Sequence, residues 1–169
     1  MLKEIWKLIK MLFRNKPSSI YTTGHLNIIT MKHFPFSDYR YMMWCGNIIT
    51  REEKSKVIER FMNTYRGKVG YHHECIHAIQ AETEHGDNWV RFYFSYMWHW
   101  LKSNPFIKPY NGAYYTNRYE VEAYANEENF SYLKQYNRLQ LRTKYTIKNA
   151  RKIFNKLGVL EWKKYIKRL

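Results

Sequence analysis

Between Gly70 and Gly86 the chain sets His72, Ile76, Ile79 and Thr83 about one helical turn apart, with Cys75 beside Ile76. That spacing predicts an amphipathic helix over about 71–85, with Gly86 as its C-cap. His73, Glu74 and His77 all lie on it. Residues four apart on a helix project from one face, so the imidazoles of His73 and His77 can reach a common point. His72 points about 100° away from His73 and is badly placed to join them. Any fold for this chain therefore has to support a helix that presents these two histidines side by side.

The segment His73-Glu74-Cys75-Ile76-His77 is H-E-x-x-H, the spacing at which two histidines bind a zinc ion. Glu74 sits next to the first histidine, beside the ion, where a carboxylate can take a proton from water as a general base. A chain of this histidine and glutamate content would show the pattern by chance in only about 2% of cases, so coincidence explains it poorly. Two histidines do not complete a catalytic zinc site, which normally has three protein ligands and one open position. In the metzincin pattern a Gly and a His follow at fixed offsets. Here those positions hold Gln80 and Thr83, which excludes that class; Gln80, one turn beyond His77, could support the site, but a helix-surface amide is the expected reading.

The other common solution takes a glutamate from a second helix. Downstream the chain offers Tyr119-Glu120-Val121-Glu122-Ala123-Tyr124-Ala125-Asn126, on a helix expected over 118–136. Asn117 opens it, with Glu120 at the capping-box spacing. The two motifs together, H-E-C-I-H and E-A-Y-A-N, resemble the gluzincins. Over about 71–132 the chain is most similar to a group of small zinc metallopeptidases of bacteria and their phages. The resemblance implies that Glu122 is the third metal ligand, that Ala125 lets two helices approach, and that Asn126 helps to orient a ligating histidine. Glu120 is the rival ligand, because Glu120-Val121-Glu122-Ala123 also fits the start of the pattern; Tyr124 then stands where Asp or Asn is expected. Tyr114 and Tyr115, just before this helix, are candidate donors to the oxyanion of a tetrahedral intermediate.

The remainder of the chain bounds the fold. Its 169 residues fit one domain, and 45% hydrophobic with 18% aromatic residues is not the composition of a disordered chain. Leu2, Ile5, Trp6, Ile9, Leu12 and Phe13 recur at helical spacing among lysines, predicting a basic amphipathic helix within 1–16 that docks on the core or lies on a membrane surface. Residues 25–33 and 41–50 read as a strand pair, with Gly46 as a bulge, and an edge strand there could hold an extended peptide substrate. The aromatic stretch 90–101 reads as a buried helix, too short and too polar to span a bilayer. The expected fold class is α+β: a mainly helical, zincin-like domain with a small hairpin or sheet beside the H-E-x-x-H helix.

Two cysteines, Cys45 and Cys75, are too few for a disulfide framework and read as buried thiols. No leader is recognisable in the first residues, so the expected location is cytoplasmic, with a peripheral membrane contact open. Net charge is +15, and residues 131–169 carry twelve Lys or Arg against the single acid Glu161. The segment 137–169 is expected to form a basic helical extension. Such charge suits nucleic acid, an anionic membrane or an acidic protein. The expected function is zinc-dependent hydrolysis of a peptide or protein substrate, with one zinc ion per chain. The alternative is a zinc-stabilised binding module without activity, whose basic helices engage an acidic partner.

Overall fold

In the computed structural model, residues 1–13, 25–35 and 39–169 are described. Residues 14–16 of the expected N-terminal helix lie outside them. The chain is a mainly helical α+β protein with one small mixed sheet. It forms two compact units, Met1–Val90 and Arg91–Leu169. Among the described residues no helix is long and apolar enough to cross a membrane.

The first unit opens with α1 (Leu2–Leu12), followed by β1 (Asn27–Thr30), β2 (Tyr41–Trp44) and β3 (Asn47–Thr50). The strand order is β1-β3-β2, with β3 parallel to β1 and antiparallel to β2. The apolar run 41–50 is thus a hairpin by itself. Cys45 and Gly46 form its two-residue loop at φ 49° and 71°, so Gly46 supplies a left-handed turn residue and not a bulge. Leu8 of α1 packs with Met31 and Ile49, and Trp44 Nε1 donates to the Leu8 carbonyl at 3.0 Å.

Next come α2 (Lys54–Asn63) and α3 (Tyr65–His85). The Thr64 hydroxyl caps α3 by accepting from the Gly67 amide, and Gly86 ends it in the left-handed conformation at φ 58°, as the sequence predicts. A Cβ on Gly67 would stand 2.1 Å from the Arg60 carbonyl oxygen, so only glycine lets α3 leave α2 at this angle. Phe61 of α2 lies between Tyr41 and Tyr71, with ring centroids 5.0 and 5.2 Å away. The Tyr71 hydroxyl also accepts from the Leu26 amide at 2.9 Å. Tyr71, Cys75 and Ala78 share one side of α3; His73, His77 and Gln80 lie roughly opposite. Anchoring the first side aims the second.

The second unit holds most of α4 (Trp89–Lys102), then α5 (Gly112–Tyr115), α6 (Arg118–Asn126), a 3-10 turn (Tyr132–Gln135), α7 (Arg138–Thr143) and α8 (Ala150–Ile166). Its core gathers Val121, Tyr145, Phe154, Trp162 and Ile166. The Arg151 guanidinium fastens the α4–α5 connection by donating to the carbonyls of Ser103, Ile107 and Pro109. Gly158, at φ 74° and ψ 170°, kinks α8 where the sequence shows a break between basic helices. Only one side of α4 is buried; Phe94, Met97, Trp98 and Leu101 are exposed, so the expectation of a fully buried helix was too strong. α6 is also shorter than expected, ending at Asn126.

Candidate metal centre

On α3 the imidazoles of His73 and His77 are both buried, with their Nε2 atoms 3.2 Å apart and ring centroids 4.9 Å apart. Two nitrogens bound tetrahedrally to one zinc at 2.0–2.1 Å would be separated by about 3.3 Å. The spacing of the pair therefore already suits an ion between them. His77 Nδ1 lies 2.8 Å from Gln80 Oε1. An amide oxygen can only accept, so Nδ1 carries the proton and the Nε2 lone pair faces the shared point. Gln80 is fully buried, against the sequence expectation of a surface amide. Its position three residues beyond His77 was the available signal, since that places it on the histidine face.

Glu74 is only partly buried, which a base that must meet water requires. Cys75, one residue on, faces the other way, and burial pushes its thiol up to about 12. Cys45 is raised to about 12 for the same reason, and both cysteines are free. Neither is a ready thiolate ligand.

α6 carries two buried carboxylates with different surroundings. Two residues apart on a helix means about 200°, so Glu120 and Glu122 leave opposite sides. Glu122 Oε1 accepts from the Tyr132 hydroxyl at 2.8 Å, and burial first, with the Glu122 charge second, holds the Tyr132 phenol far above its ordinary pKa. On the same side Asn126 Nδ2 donates to the Glu122 carbonyl and to the Tyr145 hydroxyl, each at 2.8 Å. The amide that the resemblance assigns to orienting a histidine is thus engaged with the second unit's own core.

Glu120 Oε1 accepts from the Tyr96 hydroxyl at 2.7 Å. The expected capping box is half formed: Asn117 Oδ1 accepts from the Tyr119 amide, but the Asn117 amide donates to the Tyr114 carbonyl, leaving Glu120 no capping role. Tyr114 and Tyr124 stand near Glu120, with hydroxyls 3.5 Å apart; burial first and the Glu120 charge second raise both phenols. Tyr115 instead stacks on Phe154 at 5.8 Å, and its carbonyl accepts from Trp162 Nε1. Of the two candidate oxyanion donors, Tyr114 has its hydroxyl beside that of Tyr124, and the Tyr115 ring lies 5.5 Å from the Tyr124 ring.

Glu122, which the resemblance favours, leaves one side of α6 toward Tyr132, and the rival Glu120 leaves the other toward Tyr96. Two imidazoles on one helix face are two of the three protein ligands that an open catalytic zinc site normally has.

The second unit also contains a cleft of about 650 Å³ whose lining includes Lys102, Arg118, Arg151 and Lys152 and no carboxylate. His99 lines it too, and burial with the charges of Arg118 and Lys102 lowers its imidazole to about 4. The chain matches no family model, no curated protein and no solved structure.

Proposed function

We propose that the chain is a zinc-dependent peptide hydrolase in which His73, His77 and Glu120 hold the ion and Glu74 is the general base. The observation that carries this reading is the His73–His77 pair: buried, spaced for one tetrahedral ion, and fixed in tautomer by Gln80. Glu120 is preferred to Glu122 as the third ligand because the Glu122 side of α6 is engaged by Tyr132 and Tyr145. Zinc there would polarise a water and a substrate carbonyl. Glu74 takes a proton from the water as its oxygen adds to the carbonyl carbon, then delivers that proton to the nitrogen as the C–N bond breaks. Tyr114 and Tyr115 are the candidate donors for the oxyanion.

A mutant pair tests this. Cleavage of a peptide library by the zinc-loaded protein, abolished in Glu74→Gln while zinc stays bound, is the expected result. Zinc binding with no cleavage by wild type would overturn the hydrolase reading and favour a zinc-stabilised binding module. The observation behind that second reading is the carboxylate-free basic cleft of the second unit, suited to an acidic partner.

A further inference from the structure

α1 uses less than half its circumference to pack. Leu8 is buried, Ile5, Met11 and Leu12 are partly buried, and Glu4 is turned inward. The Glu4 carboxylate accepts from the amides of Lys32 and His33 at 2.7 and 3.2 Å and meets His33 Nδ1 at 2.8 Å. These contacts and the Trp44 bond to the Leu8 carbonyl fix the helix on the sheet by that side alone.

Leu2, Trp6, Ile9 and Phe13 remain on a separate stripe. At 100° per residue they fall within an arc of about 60°, beyond the edge of the packed face. All four are exposed: Leu2 at 73%, Trp6 at 61% and Phe13 at 74%. An ordered stripe of large apolar side chains that the fold does not use marks an interaction surface. The next arc of about 60° holds Lys3, Lys10 and Lys7, also exposed. Among the described residues none of the three is ion-paired, because Glu4, the single acid of the helix, is engaged elsewhere.

We propose that α1 docks the protein on an anionic lipid surface, with Leu2, Trp6, Ile9 and Phe13 entering the acyl boundary and Lys3, Lys7 and Lys10 meeting the headgroups. The charge pattern selects this occupant. A nucleic acid would be met by the lysines but has no use for a Leu-Trp-Ile-Phe stripe, whereas an interfacial helix needs both, side by side. Trp6 suits the headgroup level, where an amphipathic ring is favoured. The sequence posed docking on the core and lying on a membrane as alternatives; here different faces of one helix serve the two. The inference stands independently of the zinc site.

Co-sedimentation with phosphatidylcholine vesicles, with and without phosphatidylserine, tests it on the whole chain. The wild type should sediment with the anionic vesicles and much less with the neutral ones. Trp6→Glu with Phe13→Glu should reduce partitioning at least about tenfold. Lys7→Gln with Lys10→Gln should reduce it about fivefold per lysine on anionic vesicles, an effect that added salt erases. The changed side chains are exposed, so circular dichroism should be unaltered. No sedimentation of the wild type, or equal sedimentation of the Trp6/Phe13 variant, would overturn the proposal. So would a loss caused by Trp98→Glu on α4 with Trp6→Glu silent, or a lipid-free dimer abolished by Trp6→Glu, which would make a second copy the occupant.

Discussion

α3 and α6 each carry a pair of candidate metal-ligating groups, and the two pairs are arranged differently. On α3 the histidines are four residues apart, so they share a face and act together. On α6 the glutamates are two apart, so they face opposite ways and only one of them can face a given ion. Glu120 accepts from Tyr96, whereas Glu122 is fully buried and accepts from Tyr132. Spacing of four states its own geometry, whereas spacing of two leaves the choice to tertiary packing.

The sharpest way to break this contrast is to remove each glutamate. Glu120→Ala should lower zinc affinity by more than about 100-fold, beyond what loss of an outer hydrogen-bonding partner costs. Glu122→Ala should leave zinc affinity nearly unchanged and instead destabilise the fold by about 1–3 kcal/mol in denaturant titration, because the buried Tyr132 hydroxyl loses its acceptor. Gly67→Ala attacks the support of the histidine face: its Cβ would meet backbone that cannot yield, costing about 3 kcal/mol. Gln80→Ala should cost about 10- to 100-fold in zinc affinity measured by chelator competition, with little change in stability, because it frees the His77 tautomer.

A finer pair compares the tyrosines. Tyr96→Phe should shift zinc affinity, and Tyr132→Phe should shift stability alone, by about 1–2 kcal/mol. The smallest effect belongs to pH and to the second unit. His99 has a folded pKa of about 4, below its unfolded value, so on acidification the unfolded chain takes up a proton first. Stability contributed by keeping it neutral is present above about pH 6.5 and is lost as pH falls toward 4. The half-buried setting limits the loss to about 1–2 kcal/mol, and His99→Gln should remove it from the pH profile of unfolding.

What the sequence made legible follows the same division. The C-terminal end of α3, its Gly86 cap and the paired histidines come from local spacing and are where the residues put them, whereas the helix starts at Tyr65, about six residues before the expected 71, capped by Thr64. Asn117 capping α6 was legible for the same reason. The partner of Glu120 was not, because Tyr96 is 24 residues away and no local pattern announces the contact. The hairpin within 41–50 was hidden because its loop is Cys45-Gly46; a cysteine at positive φ lacks the Asn-Gly or Asp-Gly signature that marks such turns. Gln80 was undervalued because helix position gives a face but not what covers it.

Zinc stoichiometry by elemental analysis on purified wild type, Glu120→Ala and Glu122→Ala tests the central claim most directly. The account predicts about one zinc per chain in wild type and in Glu122→Ala, and none retained by Glu120→Ala. Zinc lost from Glu122→Ala and kept by Glu120→Ala would contradict the assignment of the third ligand, and no zinc in the wild type would contradict the metal centre itself.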